Sequence, residues 1–142
     1  MTTPLATNAF TDILEGRRSI RKYDADVAIP RSEMLEMLDE AAKAPSSVNM
    51  QPWRFLIVES KEGRATLKPL IRFNTRQNAT SSAMIVIFGD MQCYENPDRI
   101  YAGATKRGLM SSLMAKTKTA AIVPIYRKYS RQKMNDVVKI DS

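Results

Sequence analysis

Histidine is absent from the 142 residues. Its absence removes Ser-His-Asp and Cys-His nucleophilic pairs and every imidazole-based metal site. The usual general acid–base side chain goes with it. A single cysteine, Cys93, excludes an internal disulfide framework and cannot assemble a zinc cluster. With no thiol or imidazole to activate it, Cys93 is expected to be inert or packed. No apolar run approaches the roughly 18 residues of a membrane span. The start, Met1-Thr2-Thr3-Pro4-Leu5, lacks the basic and apolar regions of a secretory signal, so a cytoplasmic location is expected. By elimination, chemistry carried by a cofactor is favoured over chemistry carried by protein acids and bases.

The composition present is 44% hydrophobic and 26% charged, that of a globular chain long enough to bury a core as a single domain over 1–142. Its net charge of +7 is unevenly placed. Residues 104–142 hold nine Lys/Arg against two Asp/Glu, whereas residues 1–103 balance. A basic end can serve an anionic partner, although a solvated helix face is the commoner reason for such a run. The only tail aromatics are Tyr126 and Tyr129 and no binding motif accompanies them, so nucleic acid is not expected as a partner.

Hydrophobic periodicity and breakers divide the chain. A first helix is expected over 8–15, capped by Asn8 and stopped by Gly16. A second begins near 31, with Met34, Leu35, Leu38, Ala41 and Ala42 as its buried face, and Pro45 ends it. Residues 54–59 read as a strand, with Trp53 packed inward before it. Ser60 caps a weak helix over 61–72 that contains Gly63 and Pro69. Met84–Phe88 is apolar enough for a strand buried on both faces. Residues 94–107 read as helix interrupted at Pro97 and stopped by Gly108. Ser111 and Ser130 cap helices over 112–121 and 131–140, with Pro124 between them. Strands separated by helices imply α+β or α/β layering. Two strands are few for an independent sheet.

Two segments could carry chemistry. Arg17-Arg18-Ser19-Ile20-Arg21-Lys22 places four cations and a hydroxyl in six residues, a set suited to phosphate as well as to a solvated turn. Ala44-Pro45-Ser46-Ser47-Val48-Asn49-Met50-Gln51-Pro52-Trp53 combines a helix stop with short polar side chains that favour turns. A third, weaker signal is Asn74 and Gln77 ahead of the second strand, where amides could meet the edge of a ring.

The Arg-Arg-Ser segment, the amphipathic helix, the Pro-Ser-Ser-x-x-Asn-x-Gln-Pro-Trp loop and the apolar strand occur in the order of the FMN-dependent nitroreductases, which the chain resembles from about Ile13 onward. The resemblance implies an α+β, three-layer α/β/α sandwich fold and a homodimer with sites at the interface. It also implies FMN as cofactor, NAD(P)H as electron donor, and a nitroaromatic, quinone or similar small-molecule electron acceptor reduced in ping-pong order. It implies FMN contacts from Arg17, Ser19 and Arg21, with Arg18 intervening, and Arg21 toward the pyrimidine edge, where a cation would stabilise the reduced ring. Pro45, Ser46, Ser47, Asn49 and Gln51 would line the flavin from the partner subunit, and Asn74 and Gln77 would lie near the ring. Family members are longer. A central helix, a Gly-rich segment facing the flavin and further strands would follow, yet no glycine lies beyond Gly108. The fold is therefore expected to be incomplete, and a catalytically inactive truncated member is the alternative reading.

Overall fold

The computed structural model describes residues 9–141. It divides into two compact units: Met1–Ala28 with Glu59–Met84, and Ile29–Val58 with Ile85–Ser142.

The first unit begins with α1 (Phe10–Gly16), which runs one residue past the expected end at 15 by including Gly16, and is capped by Ala9 without a side-chain bond; the expected cap Asn8 lies outside the described residues. The basic run follows in irregular backbone. Ser60 caps α3 (Lys61–Leu67), its hydroxyl oxygen accepting from the Gly63 N–H at 3.0 Å. The expected helix over 61–72 tightens into a 3-10 turn at Lys68–Leu70, because Pro69 cannot donate to an α-helical bond. A short helix, α4 (Thr75–Thr80), follows Asn74 and holds Gln77 in the stretch ahead of the second strand.

The Arg64 guanidinium organises this unit. It donates to the carbonyls of Glu59, Asn78, Ser81 and Ser82, at 3.2 Å to Glu59 and 2.6 Å to each serine. Asn78, 4% exposed, returns a bond from Nδ2 to the Arg64 carbonyl at 3.0 Å. Thr80 Oγ1 accepts from the Tyr23 N–H, and Ser82 Oγ donates to the Val27 carbonyl. The segment after the basic run is thereby tied to α4 and to the entry of the second strand.

The second unit opens with α2 (Arg31–Ala41). Of its expected apolar face only Met34 is buried; Leu35 and Ala41 are exposed. β1 (Trp53–Val58) pairs with β2 (Met84–Gly89) in a two-stranded sheet. The Asp90 N–H bonds the Pro52 carbonyl at 2.7 Å, joining the end of β2 to the start of β1 in antiparallel register. β2 is not buried on both faces as expected. Ile85 and Ile87 alternate with half-buried Met84 and Val86 and stand exposed. Trp53 is half-buried rather than core, and the fully buried residue of that corner is Pro52.

A 3-10 turn (Cys93–Glu95) leads into α5 (Pro97–Lys106), α6 (Ser112–Arg127) and α7 (Arg131–Asp141). Pro97 opens α5 instead of interrupting a helix, since the first helical turn has no use for its missing N–H. Gly108 ends α5 at φ 69°, a conformation glycine adopts without Cβ strain, and the Leu109 N–H bonds back to the Ala104 carbonyl. Ser111 and Ser130 cap as expected, accepting from Met114 N–H and Lys133 N–H. Pro124, expected to separate two helices, lies inside α6. It sits in the last turn, where one donor is lost and little helix remains to be disrupted; the break falls at Lys128–Ser130. Met50, Cys93, Ile100, Tyr101, Met134 and Val138 form the core, bordered by Tyr94, Tyr126 and Tyr129. Among the described residues no helix is long and apolar enough to cross a membrane.

Candidate functional site

The first unit holds Arg17, Arg18, Ser19, Arg21, Asn74 and Gln77; the second holds Pro45, Ser46, Ser47, Asn49 and Gln51. Arg17 closes α1 through its backbone N–H, which bonds the Ile13 carbonyl. Arg18 turns back on the same helix end, donating from Nη1 to the Glu15 and Arg17 carbonyls at 2.8 Å each. A cation there also meets the negative end of the helix dipole. Arg17, Ser19 and Arg21 are exposed, and their side chains make no hydrogen bond or ion pair with another described residue. One arginine of the cluster is thus used by the fold, while two arginines and a hydroxyl present free donors. Asn74 is the N-cap residue of α4 without capping through its side chain; its Oδ1 instead accepts from Gln77 Nε2 at 3.0 Å. The two amides therefore form one polar pair, as their spacing of three on a helix allows.

The Ser46–Gln51 loop of the second unit has an unusual backbone. Val48, Asn49 and Gln51 adopt φ of 47°, 61° and 47°. Left-handed backbone costs a non-glycine residue about 1–2 kcal/mol, most for a β-branched side chain such as Val48. Such strain persists only where surroundings over-determine it, and it concentrates at functional sites.

Several contacts hold the loop. Ser47 donates from its backbone N and from Oγ to the Asp141 carboxylate at 3.0 and 3.1 Å. Asn49 Nδ2 donates to the Ile100 carbonyl at 2.6 Å. Ser46 Oγ accepts from the Gln51 N–H at 2.9 Å. Met50 and Pro52 are buried on either side of Gln51. Arg54 joins the loop to the sheet, reaching the Gln51 and Trp53 carbonyls and pairing with Asp90 at 2.5 Å. Ser47 and Asn49 thus spend donors on shaping the loop, while the Ser46 hydroxyl proton, Asn49 Oδ1 and the Gln51 side chain keep hydrogen-bonding capacity.

Cys93 lies beneath this loop, 2% exposed, with its thiol donating to Met50 Sδ at 3.6 Å. Burial, reinforced by the nearby Asp90 charge, pushes the thiol up to about 11. It is held neutral and packed, as the sequence implied. Tyr126 is also raised, by burial first and then by neighbouring Tyr129. Arg54, Arg64 and Asp141 carry the arrangement without any sequence signal: Arg64 and Asp141 reach backbone or hydroxyl groups distant along the chain, and Arg54 pairs with the Asp90 carboxylate 36 residues on.

A profile of the Nitroreductase family matches residues 14–135. YdgI of Bacillus subtilis, provisionally named a NAD(P)H nitroreductase, is 44% identical over 137 residues, covering 96% of this chain and 66% of YdgI. A solved Exiguobacterium sibiricum protein, described as a nitroreductase in complex with FMN, superposes with TM-score 0.87 at 47% identity, covering 99% of this chain and 66% of that one. A solved Staphylococcus epidermidis protein, described as an NAD(P)H:FMN oxidoreductase, gives TM-score 0.88 at 45% identity, covering 96% of this chain and 64% of that one. The chain belongs to the nitroreductase family and has its α+β fold. It spans just under two thirds of the length of these relatives.

Proposed function

We propose that the chain is an FMN-dependent oxidoreductase that passes electrons from NAD(P)H to a nitroaromatic, quinone or similar small acceptor in ping-pong order, as a homodimer. The observation that carries this reading is the FMN complex of the Exiguobacterium relative, 47% identical over 99% of this chain. The donor set fits the cofactor. Arg17 and Ser19, exposed and unengaged, suit the phosphate, which guanidinium grips through paired N–H donors. Arg21 supplies a cation for the pyrimidine edge, where it would stabilise negative charge on the reduced ring. The Asn74–Gln77 amide pair offers donors and acceptors for a ring edge, and the Ser46–Gln51 loop offers a rigid wall from the partner subunit. When bound, FMN supplies the hydride chemistry, which asks of the protein only orientation, charge stabilisation and water exclusion. A chain without histidine can meet those demands.

The test is FMN retention, read from the visible spectrum after incubation and desalting, followed by titration of Arg17→Ala. That variant is expected to weaken FMN binding by about 1.5–3 kcal/mol, the loss of a charged hydrogen bond. Unchanged affinity would refute the phosphate assignment, and a colourless wild-type protein would refute the cofactor reading itself.

A further inference from the structure

Between α5 and α6 lies a cavity of about 550 Å³, within the second unit and built from residues outside the proposed flavin set. Its floor is apolar and small, with Ala102 from α5, Ala115 and Ala120 from α6, and the buried Tyr101. Hydroxyls of Thr105, Ser112 and Thr119 also line it. A lysine comes from each wall, Lys106 from α5 and Lys116 from α6, both exposed.

The two helices that form the cavity are mainly basic, Asp98 at the start of α5 being their one acidic residue. From residue 99 to residue 135 the sequence holds nine Lys/Arg and no Asp or Glu. Neither lysine forms an ion pair with a described residue. Small residues leave the space open, and the hydroxyls add hydrogen-bond donors beside the cations. Apolar floor, polar rim and two unpaired lysines together select an amphipathic anion. A carboxylate offers two oxygens for ammonium donors, and its hydrocarbon body would displace water from the alanines.

We infer that the α5–α6 groove is a binding site for a small amphipathic carboxylate, its head between Lys106 and Lys116 and its apolar body along Ala102, Ala115 and Ala120. The site does not depend on the flavin reading: its ligand is recognised by groups of α5 and α6 alone.

Isothermal titration of the full chain with decanoate tests the site. Saturable one-to-one binding is expected that weakens with added salt, and decanol, which has the same body without the charge, should bind about tenfold more weakly or worse. Lys106→Gln with Lys116→Gln should cost at least about tenfold in decanoate affinity. Both lysines are exposed, so this variant tests binding without threatening the fold. Ala120→Leu, an exposed and helix-compatible change, should fill the groove and abolish binding while leaving the circular dichroism spectrum unchanged. Absence of saturable binding, equal affinity for decanol, or undiminished decanoate binding in either variant would overturn the assignment.

Discussion

Val48 concentrates what is unusual about the motif loop. A β-branched side chain, 42% exposed, sits at φ 47° and ψ 28°, where its Cβ crowds the following carbonyl. Asparagine tolerates this region far better. Val48→Asn is therefore expected to stabilise the chain by about 1 kcal/mol in urea denaturation, with loop contacts intact; a loss of stability would show that the valine's packing outweighs its strain. Cys93 gives a second residue-scale expectation. Its folded thiol titrates near 11, above the ordinary value of 9.0, so the native state keeps a proton that the unfolded state releases first. Stability then falls as pH rises from about 9 toward 11. Tyr101 and Tyr126, also raised by burial, add to the decline at its upper end. Thermal midpoints of wild type and Cys93→Ala across pH 8 to 11 should converge, with the wild type losing more. Parallel curves would count against a buried neutral thiol.

At the scale of elements, Arg64 is the clasp of the first unit. Its guanidinium gathers carbonyls from before α3, from within α4 and from the approach to β2. Lysine keeps the charge but cannot fork to four acceptors. Arg64→Lys is expected to lose about 1.5–3 kcal/mol of stability, read as a lower urea midpoint; an unchanged midpoint would mean the carbonyls find other partners. Such a clasp also explains what the sequence conceals. Caps at Ser60, Ser111 and Ser130, and the stop at Gly108, are legible because their chemistry is local. α4 is not, since Thr-Arg-Gln-Asn-Ala-Thr has no apolar period and its one buried residue, Asn78, is kept inside by bonds to Arg64. Pro124 misleads because its effect depends on how much helix follows it. The run Met84–Phe88 reads as doubly buried, yet only alternate residues are covered among those described. The motif residues themselves are readable by type and order. Their division between free donors and donors committed to the fold is not, because Ser47 and Asn49 are bound to groups 94 and 51 residues away.

For the molecule as a whole, uncovered apolar surface stands out. Ile85 and Ile87 share one face of β2 at 42% and 52% exposure, with Phe88 next to them at 53%. Paired apolar positions left in water mark a surface made to be covered. Concentration-dependent self-association is expected by sedimentation velocity. Ile85→Thr with Ile87→Thr, which keeps strand preference, should weaken it by about tenfold or more, as each isoleucine contributes about 1.5–3 kcal/mol when buried. Association that ignores this pair would assign the contact to another face.

The carboxylate of Asp141 holds Ser47 from 94 residues downstream. On the ribosome, the motif loop emerges long before the group that fixes it has been synthesised. Until Asp141 arrives, Val48, Asn49 and Gln51 can relax out of their left-handed backbone, and the rigid wall does not yet exist. Shaping of the loop thus lags its synthesis by 94 residues, and a nascent chain presents the proposed flavin surface only once Asp141 has been joined.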